Sequence, residues 1–85
     1  MNKVLVKLYV PMLDESYDVF IPVNEIVWKI KKLLIKSVSD LSDINLDINK
    51  NYILINIETG TIYDDNNIII STDIRNSTSL ALIDI

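Results

Sequence analysis

Only one stretch of this chain carries a helical period, and strand-like alternation stands on both sides of it. From Lys3 to Val10 the side chains alternate, with Val4, Val6, Leu8 and Val10 on one face and Leu5, Lys7 and Tyr9 on the other, the period of a half-buried strand. Residues 11–16 contain a proline and two acids and predict a turn. Residues 17–21 alternate again, Val19 and Ile21 against Asp18 and Phe20, which makes an antiparallel hairpin. Pro22 closes the second strand, and Asn24 is expected as the N-cap of a helix with Glu25 in its first turn, where negative charge suits the dipole. This helix is expected to run to about Ser39. On a helical wheel Ile30 and Leu34 centre an apolar face flanked by Ile26, Val27, Leu33, Val38 and Leu41, while Lys29, Lys32 and Lys36 project elsewhere. That face must cover the hairpin.

The remainder of the chain supplies strands but no second helix. Residues 40–51 are polar at every second position with Ile44, Leu46 and Ile48 between, either a loop carrying apolar anchors or a short irregular strand. Residues 52–57 are strongly strand-forming, and Gly60 stands where a tight turn needs positive φ. A short strand is expected at 61–63, a turn at 64–67, a dip into the core at 68–70, a turn at 73–77 and a final alternating strand at 78–83. No repeat or linker divides this order, so residues 1–85 are read as one domain, α+β, with a mixed sheet of four to five strands packed on one main helix.

Composition narrows function by exclusion. A chain of 85 residues buries only about 60% of its unfolded surface, but 49% hydrophobic residues with one glycine and two prolines describe a compact globule. With no cysteine and no histidine there is no disulfide framework, thiolate zinc site, cysteine nucleophile or imidazole base. Eight basic against twelve acidic residues, with Arg75 the single arginine, make nucleic acid an unsuitable partner, because phosphate binding needs clustered cations. No apolar run approaches the roughly 18 residues of a membrane span, so direct insertion is not expected.

No catalytic or metal-binding motif in the sequence is complete. Asp43, Asn45 and Asp47 match the first, third and fifth positions of a calcium loop, but Ile48 replaces the required glycine and Leu54 the closing glutamate. Asp64 and Asp65 are adjacent acids in a turn and are expected to point apart into water. Serine and threonine lack a Ser-x-x-Lys spacing and a glycine-rich oxyanion turn. Neither catalysis nor a cofactor or metal is expected.

Two apolar surfaces remain. Trp28 and Ile35, with Lys32 between them, lie on the helix side away from the sheet, as a partner-binding stripe, as isolated exposed residues, or under the loop after the helix. Leu5, Phe20, Leu54 and Ile83 should point outward from the sheet if Val6, Val19, Ile55 and Leu82 point inward. One helix cannot cover both faces of its sheet, so this group is expected to bind a protein, with weak self-association or a shifted register as the alternatives.

The order of elements is that of the β-grasp fold, and the C-terminal third resembles ubiquitin: Leu54-Ile55 leading through Gly60 to Ile62, Asp64 and Asp65, then Ser71-Thr72-Asp73-Ile74, then residues 77–83. By that resemblance Leu54 and Ile83 fall where ubiquitin's apolar recognition patch lies. Ubiquitin-like modifiers end in Gly-Gly, whereas this sequence ends Leu82-Ile83-Asp84-Ile85, so conjugation is not expected. Nearly the whole chain resembles the small bacterial YukD/EsaB ubiquitin-like proteins of type VII secretion. The matching residues are Lys3-Val4-Leu5-Val6, Tyr17-Asp18-Val19-Phe20-Ile21-Pro22, Trp28, Glu58-Thr59-Gly60 and Asp73-Ile74-Arg75-Asn76-Ser77. Ser77 stands where that turn usually has glycine, so Asn76 is expected to take the unusual backbone angle. The resemblance implies a non-conjugated cytoplasmic accessory in Gram-positive bacteria. It would bind or regulate a membrane-embedded component of the export machinery that handles WXG-type substrates.

Overall fold

In the computed structural model, which describes residues 2–85, the two alternating N-terminal segments form β1 (Lys3–Val10) and β2 (Glu15–Pro22). They pair antiparallel from Lys3↔Pro22 to Val10↔Glu15. Pro11 opens a single 3-10 turn, Pro11–Leu13, and Asp14 closes it at φ 50° with its N–H on the Pro11 carbonyl at 3.1 Å. Aspartate tolerates this left-handed conformation better than most residues because its short polar side chain bonds locally.

The helix, α1 (Val27–Ser42), begins later than Asn24 would set it. Its N-cap is Ile26, which makes no side-chain cap. Backbone carbonyls take that role instead: Val27 N–H donates to Asn67 at 2.8 Å and Trp28 N–H to Asp65 at 3.2 Å. The orphan donors of the first turn are thus satisfied by a loop distant in sequence, which no local pattern reveals. At the other end α1 passes Ser39 and stops at Ser42, where Asp43 turns left-handed at φ 57°. Residues 44–51 are a loop and form no strand, with Leu46 packed against the core and Asp47 accepting from Asn49 N–H at 2.9 Å and from the Tyr52 hydroxyl, through its carbonyl, at 2.9 Å.

β3 (Tyr52–Asn56) and β4 (Ser79–Asp84) complete a four-stranded sheet in the order β2-β1-β4-β3. The central pair β1–β4 is parallel and the outer pairs are antiparallel, so the sheet is mixed. With α1 across one face this is the ubiquitin-like β-grasp arrangement, class α+β. The expected strand at 61–63 is reduced to one bridge, Ile55↔Ile62. Of residues 68–70 only Ile69 is buried, at the start of the 3-10 turn Ile69–Ser71. The core between sheet and helix holds Val6, Leu8, Val10, Val19 and Ile21 from the hairpin and Leu80 and Leu82 from β4. Val27, Ile30, Leu34 and Val38 face them from α1.

Two turns depart from expectation or meet it for identifiable reasons. Gly60 takes φ 76°, as its turn requires. Before β4 the positive φ falls on Ser77, at 71°, and not on Asn76. Asn76 is occupied otherwise: its Oδ1 accepts Leu5 N–H at 2.9 Å, while Ser77 N–H donates to the Leu5 carbonyl at 2.7 Å. The asparagine amide thereby extends the β1–β4 pairing by one step before the strand begins.

Candidate functional site: the outer face of the sheet

The register of β3 decides which residues can form the outward patch. Leu54 lies opposite Leu82, and residues directly opposite in an antiparallel pair point to the same face. Both are fully buried. Leu54 is therefore a core residue and Ile55, expected inward, points out, reversing the expectation for this strand. The segment Tyr52-Ile53-Leu54-Ile55 is apolar in both phases, so its own period carried no information about facing. Asn56, two residues after Leu54, is buried on the same inner face. Its Oδ1 accepts Glu58 N–H at 2.9 Å and Thr59 N–H at 3.3 Å, so its amide caps the following turn.

With that register, two apolar groups stand on the outer face. Leu5 of β1 is directly opposite Phe20 of β2, which is 61% exposed. Toward the other edge, Tyr9 pairs with Ala81, Ala81 with Ile55 and Ile83 with Ile53, and Ile62 continues the row through its bridge to Ile55. Between the groups runs a polar row, Asp18–Lys7–Ser79. Leu5, Phe20 and Ile83 thus lie on the outer face, but they do not form one four-residue patch. The larger group is Tyr9, Ile53, Ile55, Ile62 and Ile83 around the small Ala81. Of these the sequence pattern points only to Ile83; the register Leu54↔Leu82 is what brings Ile53 and Ile55 to this face. Tyr9 is fastened at its tip by a 3.0 Å hydrogen bond from its hydroxyl to Asp14, whose carboxylate raises the tyrosine pKa through that bond.

The helix stripe does not survive as a pair. Trp28 is partly exposed, and the Lys29 and Lys32 ammonium groups lie 5.7 and 5.2 Å from its ring centroid. Ile35 is buried in the core, because the segment after α1 and the start of β3 close over that side. An open groove of about 600 Å³ beside Trp28 is lined by Lys32, Ile48, Lys50, Tyr63 and Ile85. Its one part-buried cation, Lys31, is already held by Asp65 at 2.5 Å and the Tyr52 carbonyl at 2.8 Å.

The polar side chains are arranged for structure. The Tyr63 hydroxyl donates to Asp73, and burial, reinforced by that bond, pushes its pKa up to about 12. Asp64 accepts Asn66 N–H at 2.9 Å, and Asp65 pairs with Lys31. Among the described residues no group of three or more acidic side chains is placed to hold a metal ion. Among the described residues no helix is long and apolar enough to cross a membrane.

No protein-family model matches the sequence, and no curated protein matches it. Solved structures do. The chain is similar to the ubiquitin-like domain of the Mycobacterium tuberculosis type VII secretion protein ECCD1, with TM-score 0.75, 9% identity, and 98% of this chain and 99% of that one covered. It is similar also to the UBL domain of Plasmodium falciparum Dsk2, with TM-score 0.73, 14% identity, and 99% and 100% covered. A third structure, an ESX-5 inner membrane complex, contains a chain matched at TM-score 0.72 and 14% identity; all of this chain aligns to 21% of that longer one. At such identities the likeness is one of fold, and the fold is that of ubiquitin-like domains.

Proposed function

We propose that the protein is a ubiquitin-like interaction module that acts by non-covalent contact, without enzymatic activity and without being conjugated. Its setting is cytoplasmic, as an accessory or regulator of a type VII secretion system, with a membrane-embedded component as its partner. The observation that carries the interaction reading is the outer sheet face. One helix covers the inner face, and Ile53, Ile55, Ile62 and Ile83 are left at least partly open to water on the other. Apolar area grouped this way, rimmed by charges, is suited to protein docking. The secretion setting is supported by the fold likeness to ECCD1 and to a chain of an inner membrane complex. The likeness to the UBL domain of Dsk2 supports a second reading: a free-standing ubiquitin-like adaptor.

The test is affinity capture of the tagged protein from its native host, with mass spectrometry of the bound proteins and of the intact bait. Recovery of export components beside a bait of unchanged mass is the expected result. Ile55→Asp and Ile83→Asp should each reduce capture about tenfold or more while leaving the circular dichroism spectrum unchanged. A bait covalently attached to other proteins would overturn the non-covalent reading, and unrelated partners would favour the adaptor.

A further inference from the structure

Most of the basic side chains have a local use. Lys29, Lys31 and Lys50 are in ion pairs with Glu25, Asp65 and Asp84, and Lys7 lies opposite Asp18 on the outer sheet face. Among the described residues, Lys3 and Arg75 have no acidic partner. Distant in sequence, they line one cleft of about 400 Å³, and no acid lines it with them. Asp73, the acid nearest Arg75 in the chain, has its carboxylate engaged by the Tyr63 hydroxyl. In a protein of net charge −4 this is a local excess of positive charge.

The cleft is tied together by backbone bonds. Val23 N–H donates to the Asn2 carbonyl at 3.1 Å, and Ile70 N–H donates to the Val23 carbonyl at 2.8 Å. Arg75 is braced from one nitrogen, Nη1, which donates to the Thr72 carbonyl at 2.7 Å and the Ile74 carbonyl at 2.8 Å. Its remaining donors stay available in a fixed plane. Lys3 adds a backbone donor. Leu5 N–H is taken by Asn76, the Leu5 carbonyl by Ser77 N–H, and Lys7 N–H donates to the Thr78 carbonyl, so the odd residues of β1 direct their polar groups toward β4. The β1–β4 register begins only at Lys7, and among the described residues Lys3 N–H meets no partner there.

Beside these donors the cleft is apolar. Val23 and Ile74 are buried, Val4 is half-buried, and Ile70 is 59% exposed. Cations next to aliphatic walls suit an anion carried on an apolar group better than a bare anion, which gains nothing from such walls. The two parts of the ligand must also lie close together, because Lys3 adjoins Val4 and Arg75 adjoins Ile74. In an extended peptide adjacent side chains point to opposite faces, so an internal acid and the apolar residue beside it would not both enter. At a chain end, the carboxylate and an aliphatic side chain sit on the same Cα.

We infer that this cleft holds the free C-terminal carboxylate of another polypeptide whose last residue is aliphatic. The carboxylate lies on Arg75 and Lys3, and the side chain lies against Val4, Ile70 and Ile74. The site is separate from the β3–β4 face assigned above, and either can fail without the other.

The probe is the N-acetylated tetrapeptide glycine-serine-alanine-valine with a free C-terminus, titrated into the isotope-labelled protein and followed by nuclear magnetic resonance. Saturable shift changes should appear at Lys3, Val4, Ile70, Ile74 and Arg75, with exchange of the Lys3 N–H slowed about tenfold or more. Amidating the C-terminus, or ending the peptide in glycine, should each weaken binding about tenfold or more. Arg75→Gln should do the same. Because Arg75 also braces its own turn, Lys3→Gln, which breaks no such bond, is the second variant and should weaken binding about threefold or more. Equal binding of the amidated peptide, or binding unchanged in both variants, would overturn the proposal. So would equal binding of acetylated, amidated valine-aspartate-valine, whose carboxylate lies within the chain, or of isovalerate alone, which needs no polypeptide. Shifts confined to Ile53, Ile55 and Ile83, or the lack of any saturable shift, would overturn it as well.

Discussion

Replacing Leu54 by alanine tests the assignment of the two faces of β3, on which the site depends. Leu54 is fully buried opposite an equally buried Leu82, so truncation removes apolar contacts and leaves a cavity in a core that has few residues to relax into it. Leu→Ala changes at such positions cost about 3 kcal/mol or more. The unfolding entropy of an 85-residue chain is on the order of 0.18 kcal/mol/K, so a loss of that size lowers Tm by roughly 15 °C. Ile55→Thr is the matched control: it keeps the β-branched shape at a half-exposed outer position and should cost less than about 1 kcal/mol, or roughly 5 °C. Thermal and urea unfolding followed by circular dichroism read both variants. If Ile55→Thr proves the more damaging, β3 is one residue out of phase and the outer group Ile53–Ile55–Ile83 is not the surface described.

Three further outcomes follow from local geometry. The Tyr63 pKa of about 12 lies above the ordinary 10.0, so the protonated phenol contributes stability that is full below about pH 10 and is lost as pH rises toward 12. The loss amounts to about 2 to 3 kcal/mol, and Tyr63→Phe should flatten that part of the pH–stability curve; parallel declines in the two proteins would refute the assignment. Ser77 holds φ 71°, and Ser77→Gly should stabilise the protein by about 0.5 to 1 kcal/mol in urea melts, since relief of left-handed strain exceeds glycine's extra unfolded freedom. At Gly60 a Cβ would meet nothing within 4 Å, so Gly60→Ala should cost only the backbone strain of φ 76°, about 1 kcal/mol by the same measurement; a much larger loss would mean the turn makes contacts not seen.

The hairpin and helix were legible because each alternates apolar with polar residues at a single period. Val4, Val6, Leu8 and Val10 leave one phase for β1, and the stripe through Ile30 and Leu34 leaves one face for α1. From one helix and several strands it also followed that one face of the sheet lacks a covering layer. Where both phases are apolar, as at Ile53-Leu54-Ile55, the local period is silent, and the long-range pairing Leu54↔Leu82 chose the facing. Helix-wheel geometry likewise placed Ile35 away from the sheet, and only the chain closing over that side made it core. The helix start moved from Asn24 to Ile26 because carbonyls of residues 65 and 67 cap it, and the left-handed angle moved from Asn76 to Ser77 because Asn76 bonds Leu5 across 71 residues. Alternation and composition, being local, determined the elements and that one sheet face would lie open. The facing of β3, the composition of the outer group and the cleft at Lys3 and Arg75 depend on which distant backbone groups meet, and these the tertiary structure alone decided.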